Sequence, residues 1–104
     1  MSHMFYECLS LKELNLSNFN TNNVINMRFM FYRCISLKEL NLYNFNTNKV
    51  ISMYQMFYGC CSLKKLNISN FKINKFCDVE YMFYNCSEDL EKEIKKSIPE
   101  LNRK

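Results

Sequence analysis

Ser36-Leu37-Lys38-Glu39-Leu40-Asn41-Leu42-Tyr43-Asn44-Phe45-Asn46-Thr47-Asn48 is the stretch on which the fold turns. Leu37, Leu40 and Leu42 follow the pattern L-x-x-L-x-L, and the last two alternate with Glu39, Asn41 and Tyr43. Apolar residues at every second position predict a short strand with one buried face. The asparagines that follow predict a turn, because their side chains can hydrogen-bond backbone that lacks ladder partners. Phe45 sits among them and is expected to point inward. The same block stands 26 residues earlier as Ser10-Leu11-Lys12-Glu13-Leu14-Asn15-Leu16, with Phe19 in its turn. It returns 26 residues later as Ser62-Leu63-Lys64-Lys65-Leu66-Asn67-Ile68, with Phe71.

The rest of the chain keeps the same period. Met4-Phe5-Tyr6 with Cys8 recurs at Met30, at Met56 and at Met82, each time with its Cys four residues on. A fixed period in this range predicts a solenoid, in which each repeat forms one coil stacked on the next. Val50, Met53, Met56 and Phe57 are spaced as one apolar face of a short helical or 3₁₀ segment. Each coil is therefore expected to run strand, Asn-rich turn, short helix and return, with the strands stacked in parallel. The pattern stops after Ser87. Leu90, Ile94, Ile98 and Leu101 then form a helical stripe, with acids near its start and Lys95 and Lys96 near its end, as the helix dipole prefers. Pro99 is expected to end that helix. The expected architecture is an α/β repeat of about three and a half coils over residues 1–87, with a helical cap or tail over 88–104. The N-terminal end carries no such cap, so Met1, Met4, Phe5 and Leu11 are expected to stay partly open. Met1 stands in register with Met27 and Met53, so either translation begins at a repeat methionine or the chain is a piece of a longer array.

Composition narrows the function classes. The chain of 104 residues has one Gly, one Pro and no Trp, so Asn must take over the turns. The net charge of +4 divides unevenly: residues 1–77 carry nine Lys or Arg against three acids, and residues 78–104 carry five against seven. A mildly basic body suits acidic partners or anionic surfaces. With no more than two adjacent Lys or Arg, the pattern argues against nucleic-acid binding. No apolar run is long enough for membrane insertion, and no stretch of the sequence reads as a signal peptide.

The series M-F-x-x-C-x-S-L-x-x-L-x-L followed by N-F-N-T-x-x-V resembles the BspA-like leucine-rich repeat surface proteins, over residues 1 to about 87. The third copy drifts: Lys72-Ile73 replaces Asn-Thr, and Phe76-Cys77 replaces Val-Ile. The resemblance implies a leucine-rich-repeat solenoid, usually within long surface-exposed arrays associated with adhesion or protein partners. It also implies a place at the cell surface or outside the cell, if a signal peptide lies outside this chain. It brings no catalytic residue and no cofactor.

The outward strand positions are the candidate binding face. They align as Glu13, Glu39 and Lys65; as Asn15, Asn41 and Asn67; and as Ser17, Tyr43 and Ser69. A solenoid sheet presents such columns as one surface, and tyrosine is a common interface anchor. The plainer reading is a solvated face that keeps the protein soluble, and both stand. The expected ligand is a protein or surface glycan. A runner-up reading makes the chain a structural spacer or assembly unit that pairs end-on, as a homodimer, through Phe5 and Leu11. An enzyme is the distant third, because the polar residues are spread in columns and do not converge.

The other conspicuous residues read as structure. Cys8, Cys34, Cys60 and Cys86 form one column. Packing reads them as buried free thiols, although neighbours about 5 Å apart fall within disulfide range. A metal site needs converging ligands, which a linear column does not supply. Cys77 stands where Ile25 and Ile51 stand and reads as a substitute hydrophobe. His3, the single histidine, has Phe29, Gln55 and Tyr81 as counterparts and so belongs to no chemical theme. Tyr6, Tyr32, Tyr58 and Tyr84 read as a half-buried ring column with wet hydroxyls. Asn15, Asn67 and Asn85 lie in N-x-S sequons, which matter only in a eukaryotic secretory route.

Overall fold

The structure is a computed structural model, which describes residues 2–102. Met1, with the open end expected of it, and the last two residues of the expected tail lie outside the described residues. Like positions of successive repeats face one another. Strands β1 (Glu39–Asn41) and β2 (Lys65–Asn67) pair in parallel, with Glu39 opposite Lys65, Leu40 opposite Leu66 and Asn41 opposite Asn67. Asn26, Ser52 and Asp78 are joined by two further parallel bridges. The first copy of the block is not a regular strand, and the bond from Lys38 N–H to Lys12 O, at 3.4 Å, is long.

Among the described residues the short helix expected in each repeat is absent. Residues 27–34 and 53–60 form runs of overlapping turns instead. Within one run the N–H groups of Met30, Tyr32 and Cys34 close turns onto the carbonyls of Met27, Phe29 and Phe31. The intervening N–H groups of Met27, Phe29, Phe31 and Arg33 reach across to the carbonyls of Ser52, Tyr54, Met56 and Tyr58 in the next repeat. A helix would spend all of these groups on itself; the turn run spends half of them on its neighbour. The geometry requires left-handed backbone at two places per repeat. His3, Phe29, Gln55 and Tyr81 form one such column, and Glu7, Arg33, Gly59 and Asn85 form the other, all with φ between 51° and 74°. Met27, Met30, Phe31 and Cys34 are buried in this arrangement, a spacing that a helix would also give.

The asparagines explain themselves at the corners. Asn15, Asn41 and Asn67 each accept from the N–H two residues on, at 3.0, 2.9 and 3.2 Å. Asn20, Asn46, Asn26 and Asn74 make the same local bond. Other amides cross between repeats, as from Asn70 Nδ2 to Phe45 O at 2.9 Å. Buried Thr21 and Thr47 also join repeats. Each hydroxyl accepts from the N–H of the residue 25 positions on and donates to that residue's carbonyl. No Asn-rich turn follows the third one, and there the position holds buried Ile73.

The interior is a continuous apolar column in which Phe45 is 1% exposed. Phe5, Phe31, Phe57 and Phe83 stack in it with ring centroids 5.4–5.6 Å apart. Tyr6, Tyr32, Tyr58 and Tyr84 make a second stack nearer the surface, at 4.7–5.2 Å. The third repeat slips by one residue at its outer corner. Val50 N–H closes a turn on Thr47 O, but Cys77, not Phe76, does so on Asn74 O. Cys77 thus takes the interior place of Val50, and Phe76 is turned out, 83% exposed. This corrects the reading of Cys77 as a stand-in for Ile25 and Ile51, which are themselves exposed.

Helix α1 (Glu88–Ser97) begins at Ser87, whose side chain accepts from Leu90 N–H, and a 3₁₀ turn follows over Pro99–Asn102. Leu90, Ile94, Ile98 and Leu101 are buried against the last repeat. The opposite end is less covered. Phe5, Leu11, Leu14, Phe19 and Val24 are half-buried, whereas their counterparts Phe31, Leu37, Leu40, Phe45 and Val50 are buried.

Candidate functional site

All nine outward strand residues are exposed, and the pairing of β1 with β2 sets Glu39 beside Lys65 and Asn41 beside Asn67. Glu39 and Lys65 pair at 3.7 Å, but both side chains are mostly in water, where such a pair contributes little. The middle row has a second occupation, because the Oδ1 atoms of Asn15, Asn41 and Asn67 hold the turns that follow them. Their Nδ2 groups are what this row offers a partner. Ser69 also donates its hydroxyl to Asn67, at 2.8 Å.

Seven of the nine residues line one groove of about 940 Å³: Glu13, Asn15, Glu39, Asn41, Lys65, Asn67 and Ser69. Ser17 and Tyr43 do not line it, and Tyr43 stands 62% exposed in the turn after β1. The far wall comes from α1, through Leu90, Glu93, Ile94 and Ser97, and Lys64 also contributes. Sequence reasoning did not place these residues at the site. The stripe of Leu90 and Ile94 marks a helix, but nothing in the spacing says that its flank borders the strand face. From the first repeat toward α1 the charges run acid, base, acid: Glu13 and Glu39, then Lys64 and Lys65, then Glu93. The groove thus has polar donors and acceptors along its floor, alternating charge and some apolar wall, which suits an extended polar ligand.

The thiols are placed for packing. All six are free, and Cys34, Cys60 and Cys86 donate to the carbonyls of Phe5, Phe31 and Phe57 in the preceding repeat, at 3.0–3.1 Å. Burial pushes the Cys34 thiol up to about 11 and that of Cys86 up to about 12, and raises Cys60 as well. Thiols held protonated in this way are poor nucleophiles. His3 lies at the surface against the rings of Phe29 and Tyr6, at 4.7 and 5.3 Å. Among the described residues, no group of His, Cys, Asp or Glu is arranged to hold a metal ion, and no helix is long and apolar enough to cross a membrane.

No curated protein and no solved structure matches the chain. One family does, over residues 1–97, and its description is a Mycoplasma protein of unknown function, DUF285. That match takes in all three copies of the leucine block, the turn runs between them and α1. The chain belongs to the DUF285 family.

Proposed function

We propose that the chain is a leucine-rich-repeat solenoid of the BspA-like kind, with its coils over residues 1–87 and a cap over 88–104. It acts as a non-catalytic protein-interaction or adhesion module on a cell surface, and its ligand lies across the strand face. The observation that carries this reading is the groove of about 940 Å³, into which seven outward strand residues from three successive repeats are gathered. The flank of α1 supplies the groove's far wall while its apolar stripe covers the last repeat.

The test compares the chain with a Glu39→Arg, Tyr43→Arg double variant in pull-downs from extracellular-matrix and host-surface extracts. Asn41 is left alone because it holds a turn. A partner retained by the original and lost by the folded variant supports the strand face. A partner retained by both, or none at all, refutes it.

A second reading has its own observation. The half-buried row Phe5, Leu11, Leu14, Phe19 and Val24 offers an apolar end for pairing with a second copy, the chain then serving as a structural spacer or assembly unit. Sedimentation velocity over a range of concentrations decides it: a dimer abolished by Phe5→Glu supports end-on association, and a monomer throughout removes it.

A further inference from the structure

The ladder between turn runs has a direction: its N–H groups all point toward the following repeat and its carbonyls all point back. Met53, Gln55, Phe57 and Gly59 donate to the carbonyls of Asp78, Glu80, Met82 and Tyr84. Val79, Tyr81, Phe83 and Asn85 occupy the same positions one repeat later, and Tyr81 and Asn85 again have positive φ. Among the described residues, nothing accepts from their four N–H groups. Helix α1 and the 3₁₀ turn after it close the apolar interior but leave this edge open. Between the edge and the residues Glu88, Glu91, Lys95 and Leu101 lies a groove of about 830 Å³.

We propose that this groove is a docking site for a proline-rich, lysine-containing segment of a partner protein in the polyproline II conformation. Three features select that chemistry. The edge offers donors only, and a strand edge would set its own N–H groups against them. Proline has carbonyls and no N–H, and polyproline II leaves those carbonyls unbonded and outward. The groove is lined by Tyr81 and Tyr84, both about half exposed, and aromatic-lined grooves are what such segments dock into. Among the described residues its charge is acidic: Asp78, Glu80, Glu88 and Glu91 stand against Lys95, which is engaged by Glu91 at 2.7 Å. That sign excludes a carboxylate or phosphate on the N–H row and favours lysine in the ligand.

The test uses the full chain, labelled with nitrogen-15, and three end-blocked peptides. One repeats Pro-Pro-Lys, one repeats Pro-Pro-Glu, and one alternates Lys with Val. In the free chain the amides of Val79, Tyr81, Phe83 and Asn85 exchange with water at least tenfold faster than those of Met53, Gln55, Phe57 and Gly59, since they lack the ladder bond. The Pro-Pro-Lys peptide moves those four resonances and slows their exchange. The Lys-Val peptide binds at least tenfold more weakly, and the Pro-Pro-Glu peptide does not bind. Glu80→Gln with Glu88→Gln weakens the Pro-Pro-Lys peptide roughly fivefold, as two exposed charges should. Slow exchange of the four amides in the free chain overturns the proposal. So does equal binding of the three peptides, or a response confined to the strand face. The readout lies in residues 79–85, so its failure leaves the strand-face reading untouched.

Discussion

At the residue scale, what matters is whether a side chain faces the column or the water. Phe45 and Phe76 are the clearest pair, one 1% and the other 83% exposed. Phe45→Ala should cost about 3–5 kcal/mol, the range for a buried phenylalanine, and Phe76→Ala under about 0.5 kcal/mol, both read by urea unfolding. Similar losses from the two variants would show that the slip at Asn74–Cys77 is wrong. The thiols give a pH signature. Folding favours the protonated form of Cys34, so its contribution is complete below the ordinary thiol value of 9.0 and is lost as the pH rises through about 11. The melting temperature of the unsubstituted chain should therefore fall more steeply above pH 9 than that of Cys34→Ala. Parallel curves would mean that Cys34 is not shielded. In thiol labelling at neutral pH, Cys61, the exposed one, should react well before Cys34 and Cys60.

At the element scale, the turn runs and the terminal helix make opposite demands on sequence. The two left-handed columns tolerate Glu7, Arg33 and Asn85, but the single glycine of the chain also falls there, at φ 74°. Gly59→Ala should cost about 1–2 kcal/mol, from the left-handed backbone of a residue with a Cβ. That Cβ also comes within 3.1 Å of the Arg33 side chain, which can shift. Ser87→Ala should cost about 1 kcal/mol through loss of the cap on α1, seen as a lower melting temperature. These two elements also show what the sequence disclosed. The stripe from Leu90 to Leu101 and the alternation around Leu40 pointed to α1 and β1, because burial on one side leaves a period. The turn runs were misread as short helices because Met27, Met30, Phe31 and Cys34 satisfy both geometries. Only the left-handed residues tell them apart, and of the eight in the two columns Glu7, Phe29, Arg33, Gln55 and Tyr81 are types that give no such warning. At the candidate site the nine outward residues were legible from alternation alone. The wall from α1 was not, since it depends on how a distant segment lies across the last repeat.

At the scale of the whole molecule, the ladder bonds and ring stacks join each repeat to its neighbour, so stability should be graded along the chain. His3, Phe5 and Glu7 make the same cross-repeat bonds as Phe29, Phe31 and Arg33, but from a repeat in which Phe5, Leu11, Leu14, Phe19 and Val24 are only half-buried. Hydrogen exchange should therefore be faster at His3, Phe5 and Glu7 than at Phe29, Phe31 and Arg33. Equal rates across the two repeats would show that the molecule opens only as a unit. The fixed offset of these bonds has a genetic corollary. A copying error that inserts or removes one whole period returns every donor, stacked ring and threonine bridge to an equivalent partner. An error of a single codon does not. Length in such a gene is effectively counted in whole units, and duplication is its easiest route to a longer reach.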